Sequence, residues 1–416
     1  MPELSEHLFR RESGRMVAAL TRIFGVHNLA LAEDVVQDAF CRALEVWKAR
    51  GVPENPSAWL MTAAKNRALD VVRRERTSRD FAPEIARLLE TEWTLASAVA
   101  ESFAEHTIRD EQLRMMFSCC DPRLPEEVQV ALILNILCGF GASEIASAFL
   151  AGRAAIEKRI SRGKMVLASS RRLFDLAEDD FAPRLGAVHR ALYLLFNEGY
   201  HGASAKAAVR GELCGEAIRL VLLLCEYPPA GTPATKAIAA LMCLHAARLP
   251  GRVDVYGDLN LLVDQDRSRW DTGLLGRGFE LLEQSASGTD LTPYHVEAAI
   301  AALHASAPSV DATDWRAIVS LFDTLMRIAP TPVVALNRAI AVGQAEGPAR
   351  GLAELHAITD SERLASYPFY FAAQGELELR LGKGAAASEH FRSAIALARN
   401  ATERRHLEKR LRRCSE

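Results

Sequence analysis

Apolar residues recur at helical spacing along nearly the whole chain, and this periodicity limits the fold more than any other feature. Between Leu29 and Trp47 they fall at Ala32, Val35, Val36, Ala39, Phe40, Ala43, Leu44 and Trp47. That is the i, i+3, i+4, i+7 stripe of an amphipathic helix. Glu33, Asp34, Gln37 and Asp38 take the opposite side. Sustained period-two alternation of β-branched residues is scarce. No G-x-G-x-x-G, Walker loop, H-E-x-x-H or G-x-S-x-G run occurs. The expected fold is all-α. With 416 residues the chain exceeds one core and predicts two or three domains. Its 49% hydrophobic and 25% charged content excludes wholesale disorder. The longest apolar runs, such as Val130–Leu134 and Val221–Cys225, fall far short of the ~20 residues of a membrane helix. The opening MPELSEHLFRRES mixes charges and does not read as a signal peptide. Eight cysteines form no C-x-x-C pair and predict reduced, buried thiols in the cytoplasm. Adjacent Cys119 and Cys120 leave a metal-binding or oxidant-sensing alternative open.

The net charge of −3 argues against a basic nucleic-acid coat, yet the charge is unevenly spread. From Leu60 to Arg79 the bases Lys65, Arg67, Arg73, Arg74, Arg76 and Arg79 face the acids Asp70 and Glu75. Residues 80–111 carry eight acids against Arg87 and Arg109. From Gly152 to Arg172 seven bases stand against Glu157 alone. Two basic helical modules thus flank an acidic connector. Charge runs are commonly solvated helix faces, but two such blocks around an opposite-signed linker point to anionic partners.

SEIASAFLAGRAAIEKRISRGK (143–164) has the layout of a helix-turn-helix. Ser143 is placed to N-cap a helix over Glu144–Phe149. A turn at Ala151–Gly152 leads into a second helix from about Arg153. Ile145, Ala146, Phe149, Ile156 and Ile160 form the expected seam. The basic second helix is suited to the major groove. After about Asp179 the chain reads as stacked helical hairpins, broken at 228–233, 249–258 and 328–332. Phe371, Gly375, Ala387, Phe391 and Ala394 are spaced as in a tetratricopeptide repeat, and 335–358 has the same look more weakly.

AEDVVQDAFCRALEVW (32–47), followed by NPSAWLMTAAKNRALDVVRR (55–74), strongly resembles the second conserved domain of sigma-70-type initiation factors. The helix pair at 143–164 resembles their fourth domain. Order and spacing resemble the compact extracytoplasmic-function class, group 4. LYLLFNEGY (192–200), LLVDQDRSRWD (261–271) and TPVVALNRAIAV (331–342) resemble a subgroup with a tetratricopeptide-like helical extension. The resemblance implies sigma region 2 over 1–77, an acidic linker over 78–110, sigma region 4 over 111–175 and a helical regulatory extension over 180–416.

It also implies roles for residues. Glu33, Asp34, Gln37 and Asp38 would dock on the clamp of the largest polymerase subunit, a basic surface that an acidic face complements. The loop 48–59 would hold a flipped promoter base, with Asn55 and Ser57 bonding its edge. Asn66 and Asp70 match the −10-reading positions, though some relatives carry an amide where Asp70 stands. Lys65, Arg67, Arg73 and Arg74 would take phosphates. Arg153, Ala154, Glu157 and Lys158 would face −35 bases, and Arg159, Arg162 and Lys164 phosphate. The family's Gly-Thr-Val-like run is Ala154-Ala155-Ile156 here, and Glu157 replaces a base. Trp59 is expected in the core.

The acidic linker has two readings of equal standing: a segment threading polymerase's nucleic-acid channel, or a tether that avoids DNA. Asp264, Asp266 and Asp271 beside Arg267, Arg269 and Trp270 are expected to form a buried salt-bridge cluster, in preference to a metal or ligand site. Asn197–Tyr200 is expected to end a helix on a left-handed glycine. The basic final helix is expected to be solvated. The implied partners are RNA polymerase core, through clamp and flap, promoter DNA, and small DGPF-type proteins. No cofactor, metal or membrane is implied, and the protein itself is expected to perform no chemistry. A helical scaffold with an incidental helix-turn-helix, or an enzyme using the three aspartates, are the competing readings.

Overall fold

The structure, a computed structural model, describes residues 2–24, 28–78, 105–149, 151–169, 180–201, 209–254 and 258–414. Among them all regular structure is helical, apart from one isolated bridge between Val253 and Leu259. The greater part of the acidic linker, and Arg79, Arg171 and Arg172, lie outside the described residues. The chain divides into two compact units, Met1–Leu195 and Phe196–Glu416.

In the first unit, helix α1 (Pro2–Phe24) packs on α2 (Leu29–Arg50), α3 (Pro56–Ser78) and α4 (Glu105–Ser118). The stripe read from the sequence is the reason. Ala32, Val35, Val36, Ala39, Ala43 and Trp47 are buried on α2, as are Met16 and Leu20 on α1 and Leu60, Ala64 and Ala68 on α3, the helices it packs on. Phe9, Trp47 and Trp59 close one end: Phe9 stacks on Trp47 at 5.8 Å, and Trp59 meets Trp47 edge-on at 5.6 Å. Leu44 departs from the expected stripe. It is 54% exposed because it sits one step round the helix from Ala43, which takes the buried position.

Helix α5 (Glu126–Ile136) carries the apolar run Val130–Leu134, which is wholly buried. Against it lie α6 (Ala142–Ala148) and α7 (Arg153–Ala168). Ile145, Ala146, Ile156 and Ile160 are buried as the sequence implied, and Phe149 half-buried. At Gly163 an added Cβ would stand 2.8 Å from a Leu132 methyl, so α5 and α7 pack closely there and the Leu132 and Val128 side chains would have to shift to admit one. Ser143 does not cap α6. The helix begins at Ala142, two residues before Glu144, and Glu144 folds back so that its Oε2 accepts the Gly141 N–H at 3.0 Å.

The second unit is a succession of helices from Gly211 to Arg412. Thr232-Pro233, Thr292-Pro293 and Thr331-Pro332 each start a helix, with proline where no N–H is needed. Thr232 and Thr331 accept the Thr235 and Val334 N–H groups. Helices Pro368–Arg380 and Gly384–Ala396 form a hairpin: Phe391 fills its groove, 3.1 Å from where a Cβ on Gly375 would lie, beside buried Ala387 and Ala394.

Three sequence readings need correction in this half. Gly199 lies within the helix Leu185–Tyr200 and is not a left-handed helix end. It is small because a Cβ would come within 2.8 Å of Arg210 O and Cys214 N. Asp266 and Asp271 form no buried salt bridge. They are exposed helix caps for the Ser268 and Leu274 N–H groups, while Arg267 donates to the His304 and Ala307 carbonyls at 2.7 Å. The final helix, Ala401–Arg412, is not merely solvated: Arg405 pairs with Asp258 at 2.6 Å and Arg410 with Glu376.

Candidate polymerase and nucleic-acid interface

The face of α2 opposite the apolar stripe carries Asp34, Gln37 and Asp38 exposed and Glu33 half-buried. Burial of the stripe turns all four to one side. Next comes the loop Gly51–Asn55, where Gly51 has φ +84 and supplies the left-handed turn after α2. Asn55 Oδ1 accepts the Ala58 N–H at 3.0 Å. The residue proposed to touch a base is thus also the N-cap of α3, with Pro56 in the first turn. Ser57 is half-buried.

Along α3, Asn66 and Asp70 lie one turn apart on the exposed face, with Lys65 and Arg67 half-buried at its margins. Arg67 Nη2 meets Asp38 Oδ2 at 2.8 Å, so this arginine is oriented by α2. Arg73 and Arg74 stand on the same helix, and their side chains lie outside the described residues.

On α7, burial of Ile156, Ile160, Gly163 and Leu167 leaves Arg153, Ala154, Glu157, Lys158 and Arg162 exposed. Arg159 is half-buried. Gly152 precedes the helix in an extended conformation, and no side chain caps the first-turn N–H groups. Arg153 Nε donates to Glu157 Oε1 at 2.7 Å, an exposed i, i+4 pair worth about 0.3–0.5 kcal/mol. It costs little to break.

Lys164 differs from its neighbours. Its Nζ donates to Glu33 Oε1 at 2.6 Å, across from α7 to α2. Beside this pair an open groove of about 530 Å³ runs between the start of α2 and α7, with Met165 62% exposed on its wall. Elsewhere Arg10 of α1 pairs with Glu144 at 3.1 Å and lies 5.2 Å over the Phe140 ring. Arg22 reaches Glu111 at 2.8 Å. The structure therefore brings two groups together that the sequence leaves apart: Lys164 with Glu33, and Arg67 with Asp38. Nothing in local spacing signals pairs separated by 131 and 29 residues.

Cys119 and Cys120 are buried. Burial raises both thiols, Cys120 to about 12, so both stay protonated and neither has the exposed, activated thiol of a redox sensor. Among the described residues no group of three or more His, Cys, Asp or Glu is placed to hold a metal ion, and no helix is long and apolar enough to cross a membrane.

Residues 8–78 match sigma-70 region 2, which covers α1–α3 and with them the α2 and α3 faces. Residues 184–286 match a family of unknown function, DUF6596. The chain is 39% identical over 396 residues to the uncharacterized protein R00370 of Rhizobium meliloti (strain 1021), covering 95% of this chain and 92% of that protein. Region 2 of sigma-70 factors serves in transcription initiation, with RNA polymerase core and promoter DNA as its partners. The chain belongs to one family with that rhizobial protein and, through its region 2, to the sigma-70 superfamily.

Proposed function

We propose that this protein is a sigma factor of the extracytoplasmic-function class, acting in the cytoplasm. It would direct RNA polymerase core to promoters and be regulated through its C-terminal helices. One observation carries the reading: within the region that matches sigma-70 region 2, the buried stripe of α2 turns Glu33, Asp34, Gln37 and Asp38 to a single polar face. That face suits a basic clamp surface. Asn55, Ser57, Asn66 and Asp70 would read and help open −10 DNA, with Lys65, Arg67, Arg73 and Arg74 on phosphate. Helices α6 and α7 would form a helix-turn-helix on −35 DNA, with Arg153, Ala154, Glu157 and Lys158 toward bases. Arg159, Arg162 and Lys164 would lie toward phosphate. The tetratricopeptide-like reading of 180–416 is supported by the Gly375/Phe391 hairpin, and small DGPF-type proteins are its proposed partners.

Both proposed contacts of Glu33 and Lys164 are mutually satisfied in this arrangement, so holding polymerase and DNA together requires the pair to separate. Run-off transcription with purified core on promoters mapped after overexpression tests the function. A sigma factor gives defined start sites that vanish without it. A helical scaffold gives none.

A further inference from the structure

The second unit encloses a cleft of about 330 Å³ whose wall carries two arginines, Arg248 and Arg252, with no ion pair to a carboxylate among the described residues. Arg248 follows the helix Pro233–Ala246 and is only 9% exposed, and its Nε is buried without a hydrogen-bond partner. Among the described residues, the charged or titratable groups coupled to it are Tyr200, Arg252, Arg267, His201, His245 and His304, and no carboxylate is among them. Arg248 lies 5.7 Å from the centre of the Trp270 ring, which offsets part of its desolvation.

Arg252 repeats the pattern four residues on. It stands 4.1 Å over the Tyr200 ring, Nη2 donates to His201 Nδ1 at 2.9 Å, and Nε is buried without a partner. The acids on the cleft wall are engaged elsewhere: Glu376 binds Arg410, and Glu403 binds Arg399 at 2.6 Å. The rest of the wall includes Leu259, Leu262, Ile340 and Phe369.

A guanidinium removed from water without a counter-charge is a costly arrangement. Buried Arg248, with half-buried Arg252 four residues on and also lining the cleft, leaves a position that an oxyanion fills, because the arginine fork matches its geometry. The volume is at the lower end for small-molecule sites. We propose that this cleft binds a small amphiphilic oxyanion, its carboxylate or phosphate head on Arg248 and Arg252 and its apolar body along Leu262 and Phe369. The second unit would then be a ligand sensor as well as a helical stack. This inference rests on that unit alone and stands or falls independently of the sigma-factor reading.

Titration calorimetry on the full chain tests it, with sodium octanoate and octyl phosphate as probes and octanol and inorganic phosphate as controls. At least one probe should bind with Kd below about 1 mM, and both controls roughly tenfold more weakly. Which probe binds tighter identifies the head group. Arg248→Met keeps the stem and removes the charge. It should weaken the probe at least roughly tenfold while leaving the thermal midpoint of the free protein unchanged or raised. If that variant does not fold, Arg252→Met, at a less buried position, should show the same loss. Failure of both probes to bind at about 10 mM overturns the proposal. So does octanol binding as tightly as octanoate, or unaltered affinity in a folded variant.

Discussion

Lys164 on α7 donates to Glu33 on α2 at 2.6 Å, so a residue proposed to grip promoter phosphate and a residue proposed to meet polymerase neutralise each other. The two side chains keep 28% and 30% of their exposure, and an open groove lies beside them. Such a pair is worth about 1 kcal/mol or less.

That value predicts a latch that polymerase can open. Cys41 is exposed, which allows one dye there and a second at Met165→Cys, with half-buried Cys225 and Cys414 replaced by Ser. Energy transfer should fall when core is added. It should fall part-way in Lys164→Ala alone, by up to about a fivefold shift in the open population. Unchanged transfer at saturating core would show that the two helices stay together.

Lys158→Ala and Arg162→Ala should differ in kind. Both side chains are exposed on α7, Lys158 nearer its start. Loss of a base contact at 158 should cost ~1–3 kcal/mol at one promoter position, and loss of a phosphate contact at 162 should weaken all sequences alike. Transcription from a set of −35 variants reads the difference. Two mutants indistinguishable from the parent would remove α7 from the −35 element.

Asp38→Lys should impair binding to core and leave the fold intact. Asp38 is 54% exposed and its bond to Arg67 is an exposed ion pair, so stability should change by about 1 kcal/mol at most. Reversed charge at a complementary surface should slow association with core. Surface plasmon resonance at physiological salt measures it, and an unaltered on-rate would mean the α2 face meets solvent only.

Removal of the second unit should abolish promoter-dependent transcription if the extension holds the sigma modules in an active arrangement. The cut matters. Phe181 packs edge-on to Phe117 at 4.6 Å, and Arg184 Nη1 donates to Phe117 O at 3.1 Å. A truncation after Asp179 would therefore strip the first unit of its own core. One after His201 keeps the helix Leu185–Tyr200 whole. Full activity from that shorter chain would leave the extension a passive tail.

Acid should destabilise the first unit through His189. This residue is 4% exposed, and burial pushes its imidazole down to about 4. It is neutral in the fold yet takes a proton when unfolded below about pH 6.5, so the unfolded state binds more protons and stability falls as pH drops from 6.5 toward 4. At pH 5 the loss is about 2 kcal/mol, and above 6.5 it vanishes. Urea midpoints at pH 7 and pH 5 should converge more closely in His189→Gln than in the parent. Equal pH sensitivity of the two would rule His189 out.

Elements set by local chemistry are legible in the sequence. The α2 stripe, the Ile145/Ile156/Ile160 seam and the Gly375–Phe391 packing each follow from spacing along one or two helices. Local rules mislead where two of them compete. Leu44 loses the buried face to Ala43, and Glu144 displaces Ser143 at the start of α6. Gly199 serves a close approach to Arg210 and Cys214, which no turn rule anticipates. Long-range pairs are the least legible: Lys164 with Glu33 depends on how helices pack, and the buried Arg248 looks like any surface arginine in sequence. Its one signal is Arg252 a turn later, with no acid between them.

Gly163 governs how α7 seats on α5. Its missing methyl lets α7 rest directly on Leu132 and Val128 of α5. Ala154 lies nine residues nearer the start of α7, about 14 Å along the axis at 1.5 Å per residue. A methyl at 163 would press on the side-chain ends of Leu132 and Val128, and any strain they do not absorb would be passed along the rigid helix toward Ala154. If α7 reads DNA as proposed, its seating is governed from the inward side of the helix, away from the exposed residues that would meet a base.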